Sequence, residues 1–177
     1  MAYNVNIQRL EISALFDLKG KALAVKKYAG AHLPDFTHKP NTFTEKDGKI
    51  LAFIGRDHWL LKVDINREED LLEALSPDKA PAEVSIVQTS DTMTFFEITG
   101  PDAHQIMAIA CPLDLHSRVF GKESITFSEV FGLRALVQRI EGGFEVGVEQ
   151  SFGDMVADYL ARSKGSQSGS TDKGLAK

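Results

Sequence analysis

Two stretches of this chain follow the same pattern of residue types, and this repeat constrains the fold more than any other feature. Residues 14–20 read ALFDLKG and residues 94–100 read TFFEITG, so the two stretches align almost position by position. Apolar residues at helical spacing follow each stretch. A strand followed by a helix is therefore expected twice, and the chain is predicted to fold into two related halves.

The first half is predicted to contain six elements in the order β-α-β-β-α-β, which is the ferredoxin-like pattern. Strands are expected within residues 5–18, 49–54, 58–63 and 83–87, and helices within residues 22–30 and around Leu71, Leu72 and Leu75. Residues 55–57 are short enough to make the two middle strands a hairpin. Asn66 is the predicted cap of the second helix. Residues 32–48 are predicted to be a long loop.

The second half is predicted to repeat this order as far as its second helix. Pro101 suits the first turn of the helix that follows the repeated stretch. Residues 133–140 and 144–148 are predicted to form a hairpin around Gly142-Gly143. Ser151 is the predicted cap of the last helix. The expected buried stripes are Ala103, Ile106, Met107 and Ala110 on the first helix and Phe152, Met155, Val156, Tyr159 and Leu160 on the second.

These elements predict an α+β fold of two related ferredoxin-like β-α-β-β-α units packed together. Residues 1–90 are assigned to the first half and residues 91–162 to the second. Residues 163–177 are rich in Ser and Gly and have few apolar side chains to bury, so they are predicted to be a disordered tail.

The overall composition limits the classes of function. A net charge of −5 over 177 residues argues against a nucleic-acid-binding protein, because phosphate binding needs a concentrated basic face. The single cysteine excludes an intramolecular disulfide. The N-terminus lacks a signal-peptide pattern, and no apolar run approaches the roughly 20 residues that a membrane-spanning helix needs. We expect a soluble cytoplasmic protein with no nucleic-acid or membrane partner.

The segment Cys-Pro-Leu-Asp-Leu-His at residues 111–116 is the most unusual stretch of the chain. Cys111 is the only candidate thiol nucleophile, with His116 as its base and Asp114 to orient the histidine. Against catalysis, Cys111 follows a predicted helix, and the negative end of the helix dipole disfavours a thiolate. Such groups also usually come from distant parts of a chain. The simpler interpretation is a buried cysteine followed by a loop stiffened by proline.

Other chemistry-bearing residues do not form a recognisable set. The histidines at 32, 38, 58, 104 and 116 show no i, i+4 pair and no metal-ligand spacing. No glycine-rich phosphate-binding motif occurs. Trp59 could stack on an aromatic ligand such as a pterin, but a tryptophan in an alternating strand is more often part of a core.

Residues 111–120, read as CPLDLHSRVF, strongly resemble the signature CPLDLHPRVF of the gamma subunit of heterotetrameric sarcosine oxidase. The family's LP…PN loop, LGPDEWLL hairpin, LSGPDA turn and RSFADYL helix resemble residues 33–41, 54–61, 98–103 and 150–155 in the same order. The matches run from about Leu15 to Leu160. The hairpin and GPDA motifs are shared with the wider folate-dependent aminomethyltransferase superfamily. Ser117, Arg56 and Gly153 depart from the family pattern.

The resemblance implies an aminomethyltransferase N-terminal-like fold and a non-catalytic, structural role. The complex would oxidatively demethylate sarcosine to glycine, form hydrogen peroxide and pass the one-carbon unit to tetrahydrofolate. The implied partners are the alpha, beta and delta subunits of a heterotetramer. FAD, FMN, NAD and tetrahydrofolate would belong to the alpha and beta subunits and zinc to the delta subunit. No catalytic, cofactor-binding or metal-binding residue is assigned to this chain, and whether it has an activity of its own is left open.

Under this interpretation the unusual segment is a docking loop. The predicted interface residues are Cys111, Pro112, Leu113, Asp114, Leu115, His116, Arg118 and Phe120. Leu113 and Leu115 would be apolar anchors, and Pro112 would reduce the entropy lost on binding. The alternative is that both leucines fill the space between the halves, because leucine is usually buried.

Two other functions are also considered. One is a free-standing folate-binding protein of the aminomethyltransferase superfamily, with Trp59 and Phe96 lining a pocket between the halves. Asp17 or Glu97 would then be the acid that binds a pterin edge. The other is a self-assembling homo-oligomer that binds no ligand.

Overall fold

The computed structural model describes residues 2–165, which contain ten strands and four α-helices. The strands are β1 (Asn6–Arg9), β2 (Ser13–Lys19), β3 (Phe43–Lys46), β4 (Lys49–Gly55), β5 (His58–Asp64), β6 (Ser85–Gln88), β7 (Met93–Thr99), β8 (Ile125–Val130), β9 (Leu133–Ile140) and β10 (Gly143–Glu149). The helices are α1 (Ala22–Ala29), α2 (Glu68–Leu75), α3 (Ala103–Ala110) and α4 (Gly153–Lys164). No helix among these residues is long and apolar enough to cross a membrane.

The first sheet contains five antiparallel strands in the order β3-β4-β5-β2-β6. Apart from the added edge strand β3, this is the strand order that the ferredoxin-like βαββαβ motif produces. Side chains alternate along β2, as strand geometry requires. Phe16 and Leu18 therefore face α1 and α2, where they pack with Val25 and Leu71, and Leu15 faces the opposite side.

The second sheet has the corresponding order β1-β7-β10-β9-β8. Phe96 and Ile98 of β7 face α3 and α4 and pack with Ile106 and Leu160. The place beside β7 that β6 holds beside β2 is taken by the N-terminal strand β1. Residues 6–9, which lie in the first half as divided at residue 90, therefore belong to the sheet of the second half.

The two sheets face each other and the helices cover their outer sides. Leu15 and Leu60 of the first sheet pack with Phe95 and Leu136 of the second in a third apolar cluster. Each unit thus has its own core beneath its helices, and a smaller core joins the units. The predicted α+β fold of two related ferredoxin-like units packed together is confirmed.

A hydrogen-bonded junction joins the two units at one edge. Thr42 and Ser124, which precede β3 and β8, form an antiparallel bridge. Asn41 adopts a left-handed conformation with φ of 58°, and its carbonyl oxygen accepts a 3.0 Å hydrogen bond from the backbone N–H of Ile125. Its side-chain Oδ1 accepts a 3.1 Å hydrogen bond from the hydroxyl of Thr126. The equivalent edges of the two sheets are therefore linked.

Most predicted elements are present, but the single strand expected within residues 5–18 is divided into β1 and β2, and two further strands, β3 and β8, were missed. The hairpins β4–β5 and β9–β10 form, and Ala103, Ile106, Met107 and Ala110 are the buried stripe of α3. The predicted loop at residues 32–48 contains β3, and β8 precedes the second hairpin in the same way. Both missed strands lie at sheet edges, where a half-exposed pattern weakens the alternation of apolar residues.

Both predicted helix caps are wrong. The carboxylate of Asp64 accepts a 2.8 Å hydrogen bond from the backbone N–H of Asn66, so Asp64 caps the short 3₁₀ turn that leads into α2. Ser151 donates to the side chain of Glu149 instead of capping α4. Phe152 and Tyr159 are each 38% exposed and so are not core residues. Helix α4 extends through Lys164 into the predicted tail, and the remainder of that tail, residues 166–177, lies outside the described residues.

Candidate functional site

The candidate docking loop comprises residues 111–120 and connects α3 to the segment before β8. It begins where the backbone N–H of Cys111 donates a 2.8 Å hydrogen bond to the carbonyl of Met107 at the end of α3. Cys111, Leu115 and Phe120 are buried in the second core, with exposures of 5%, 3% and 7%. The residues between them are exposed. Three buried side chains therefore attach this loop to the second unit.

Polar groups inside the loop are used by its own fold. The Asp114 carboxylate accepts a 2.9 Å hydrogen bond from the backbone N–H of His116, and His116 Nδ1 accepts a 3.2 Å hydrogen bond from the backbone N–H of Arg118. The His116 carbonyl accepts hydrogen bonds of 2.8 Å from both Val119 and Phe120. The buried Cys111 thiol lies 4.0 Å from the hydroxyl of Ser128. The loop thus uses the side chains of the Cys111–His116–Asp114 set as structural groups.

Arg139 of β9 binds the main chain of the loop through its side chain. Its guanidinium donates to the carbonyl of Leu115 and, at 3.2 Å, to the carbonyl of Phe120. The Arg139 Cζ atom lies 4.1 Å from the centre of the Phe144 ring and 5.8 Å from that of Phe120. Burial of the guanidinium lowers the pKa of Arg139 from its usual value, since desolvation penalises the charged form. Sequence patterns did not indicate Arg139, because a lone arginine in an alternating strand is not distinctive.

The predicted interface residues divide into two groups. Pro112, Leu113, Asp114, His116 and Arg118 are exposed. Leu113 is 37% exposed, whereas Leu115 is buried in the core of the second unit and not between the units. Val119 was not among the predicted residues, but its side chain is 69% exposed. The apolar surface of the loop therefore consists of Leu113 and Val119, and Leu115 serves the core.

A cleft of about 860 Å³ lies between the two sheets beside the loop. Its walls include Phe43 and Ile50 from the first sheet and Phe120, Gln138 and Glu145 from the second unit. Gln138 is 4% exposed, and its Oε1 has no hydrogen-bond partner among the described residues.

The residues proposed for a folate site do not come together in this cleft. Trp59 is 2% exposed and packs in the first core, stacked on Phe53 at 5.5 Å, which confirms its interpretation as a core residue. Phe96 is buried in the second core beneath the other pair of helices. Asp17 contacts His58 at 2.6 Å instead of offering a free carboxylate. Trp59, Phe96 and Asp17 therefore do not come together in one binding site.

The structure brings no metal-ligand set together in the part of the chain that it describes. Among residues 2–165, no group of three or more His, Cys, Asp or Glu side chains has a geometry that could hold a metal ion.

Two facing sheets of ferredoxin-like order, each covered by two helices, define an α+β class of fold. A match to a protein family then assigns the chain to one family within this class. Residues 36–176 match the family described as the GCVT N-terminal domain. The chain therefore belongs to this family, the aminomethyltransferase superfamily. No curated protein sequence matches the chain at a significant level.

Solved structures share this fold, and two of them are compared with this chain. One is a chain of the heterotetrameric sarcosine oxidase from Corynebacterium sp. U-96, solved with pyrrole 2-carboxylate. It has a TM-score of 0.75 and 20% sequence identity, and the match covers 90% of this chain and 83% of that one. The other is the glycine cleavage system aminomethyltransferase T from Bartonella henselae, with a TM-score of 0.65 and 15% identity. That match covers 88% of this chain but 45% of the aminomethyltransferase, so this chain spans less than half of that enzyme.

Proposed function

We propose that this chain is a non-catalytic, structural subunit of a sarcosine oxidase-type flavoenzyme complex. The complex would oxidatively demethylate sarcosine to glycine and transfer the one-carbon unit to tetrahydrofolate. Alpha, beta and delta subunits would be its partners in a heterotetramer. They would carry FAD, FMN, NAD and tetrahydrofolate, and the catalytic residues would lie on them.

One observation carries this proposal: the extent of the match to each solved relative. The chain corresponds to 83% of a chain in a heterotetrameric sarcosine oxidase, but to 45% of a glycine cleavage aminomethyltransferase. The matched region therefore spans most of a subunit in the first case and less than half of an enzyme in the second. The resemblance of residues 111–120 to the gamma-subunit signature supports the same choice.

The docking surface of the proposed subunit is the exposed side of the loop at residues 111–120. Leu113 and Val119 are its exposed apolar side chains, and Asp114, His116 and Arg118 are exposed polar side chains of the same loop. Protein interfaces commonly combine apolar and polar side chains in this way. The loop is also held by hydrogen bonds before any partner binds, and preorganisation of this kind lowers the entropic cost of association.

The test is co-expression of the tagged chain with the products of its neighbouring genes, followed by purification. Native mass and visible absorption of the purified material are then measured. A large complex with flavin absorption that oxidises sarcosine is the expected result. A colourless species with the mass of this chain alone, obtained while the other subunits are expressed and folded, would contradict the proposal.

The alternative function is a free-standing folate-binding protein. The inter-sheet cleft favours a ligand, as does the Gln138 amide oxygen, which has no hydrogen-bond partner within residues 2–165, but the separation of Trp59 from Phe96 counts against the predicted folate site. Calorimetric titration of the purified chain with tetrahydrofolate distinguishes the folate-binding function from the subunit function. Saturable binding by the isolated chain would support the alternative. A homo-oligomer that binds neither folate nor the other subunits would instead be detected by its native mass.

A further inference from the structure

We propose that Arg139 is the positioning residue of the docking surface: it fixes the main chain of the loop at residues 111–120 in the conformation that a larger subunit recognises. This inference rests on the proposed function. Arg139 lies on β9 beneath the loop and is half-buried, with its guanidinium bonded to the loop's own carbonyl groups, so its proposed effect on assembly acts through the loop.

The geometry places both ends of the exposed turn under the control of one guanidinium. Leu115 and Phe120 enclose the turn, and Arg139 donates hydrogen bonds to the carbonyl oxygens of both residues. Between these two points the chain reverses through His116, whose carbonyl accepts from Val119 and Phe120 at 2.8 Å. The exposed Val119 side chain is therefore carried by a turn that is held at each end.

Arginine is suited to this position for two reasons. Its planar guanidinium carries five N–H donors in a fixed fork, so it can serve two separate carbonyls at once, whereas the ammonium of lysine is a compact group on a flexible stem. The guanidinium also lies 4.1 Å from the centre of the Phe144 ring, and such stacking favours arginine. The backbone N–H of Arg139 donates to Ser124 at 2.9 Å, which fixes the strand from which the side chain projects.

The consequence is a loop whose shape is set before it meets a partner. Apolar anchors contribute to affinity when they are presented in the bound conformation, because ordering them during association costs free energy. Loss of the Arg139 fork would release the carbonyls of Leu115 and Phe120 and allow the turn to sample other conformations. Leu113 and Val119 would keep their chemistry but lose their fixed arrangement.

The test compares R139K and R139M with R134M, a control on the same strand. Arg134 is exposed and its Cζ lies 4.3 Å from the Phe127 ring centre, so R134M removes a similar stack without touching the loop. Each variant is expressed with the other subunits of the complex. The dissociation constant between the variant and those subunits is then measured at a temperature at which all variants are folded. Hydrogen exchange at the Val119 and Phe120 amides of the free chain is measured in parallel.

We expect R139K and R139M to exchange both amides faster and to bind the partner on the order of tenfold more weakly, while R134M behaves as wild type. R139K keeps the positive charge, so a loss in both variants assigns the effect to the fork. A purely structural role would lower the melting temperature and leave the affinity of the folded chain unchanged, and that result overturns the inference. If the wild-type chain itself does not assemble, the proposed function fails first, which is a different and recognisable outcome.

Discussion

Lys62 and Glu145 form an ion pair that joins the two sheets of the molecule. Lys62 projects from β5 of the first unit and Glu145 from β10 of the second, and their side chains are 12% and 11% exposed. The Lys62 ammonium also lies 4.4 Å from the centre of the Phe95 ring in the inter-sheet core. The two units are therefore joined by a largely buried charge pair as well as by apolar packing.

Removal of one member of this pair should destabilise the protein more than removal of both. K62M leaves the Glu145 carboxylate buried without its cation, and we expect the free energy of unfolding to fall by about 3 kcal/mol. The double variant K62M/E145L removes both charges and should therefore cost less than either single variant, K62M or E145L. Urea denaturation of the wild type, K62M, E145L and K62M/E145L measures the four free energies of unfolding.

An exposed ion pair provides the control for that cycle. Arg162 and Asp158 on α4 lie 2.7 Å apart, with side chains 74% and 51% exposed. R162A should change the free energy of unfolding by less than about 0.5 kcal/mol, because solvent screens such pairs. Additive effects of K62M and E145L would show that the buried pair contributes no coupling between the units.

Substitutions in the docking loop should separate its contact residues from its core residues. L113D/V119D changes two exposed side chains and should leave the fold intact while abolishing recovery of the assembled complex. L115D places a carboxylate in the second core, so it should lower the free energy of unfolding by more than about 3 kcal/mol. Circular dichroism and co-purification of both variants check this. A normal yield of complex with L113D/V119D would show that the loop is not part of the interface.

The repeat in the sequence was sufficient to predict two related α+β units, because strand alternation and helix spacing are local properties. Residues 14–20 and 94–100 became the equivalent interior strands β2 and β7, and the hairpins around residues 55–57 and around Gly142-Gly143 formed as predicted. The position of β1 could not be predicted in this way. Its pairing with β7 is set by contacts between residues far apart in the sequence, such as Gln8 with Glu97, and no local pattern encodes them.

The candidate site was only partly predictable for the same reason. The resemblance of residues 111–120 identified the loop, but not which of its side chains are exposed. Two leucines two positions apart look equivalent in sequence, yet Leu113 is 37% exposed and Leu115 is 3% exposed. Their difference depends on the core beneath the loop. Arg139, 19 residues beyond Phe120, could be connected to the loop only after the strands had been placed.

Deletion of residues 2–9 should destabilise the second unit although these residues are N-terminal. The deletion removes β1 from the edge of β7, buried Val5 from the second core, and the 2.7 Å contact between Arg9 and Asp154. Burial of one valine alone contributes about 1.5–3 kcal/mol, so a loss above about 2 kcal/mol is expected. Hydrogen exchange should accelerate in β7 and α4 more than in β5. Equal acceleration of hydrogen exchange in both units would contradict the conclusion that β1 stabilises the second unit.

Asn41 should contribute to the junction between the units through two separable effects. It holds a left-handed φ of 58°, and its Oδ1 accepts the hydrogen bond from Thr126. N41G keeps the backbone conformation and loses the hydrogen bond, so it should cost about 1 kcal/mol. N41A also introduces a side chain that disfavours this φ and should cost about 2 kcal/mol. Thermal and urea denaturation of the two variants measure the difference.

The Thr126 hydroxyl supplies the control for the hydrogen bond. T126V should destabilise the wild-type chain by about 1 kcal/mol but should have little further effect in the N41G background, because the acceptor is already absent. Full additivity of T126V and N41G would show that the two side chains do not interact across the junction. Equal stability of N41G and N41A would show that the left-handed backbone at residue 41 does not contribute, since only the alanine variant is strained at that φ.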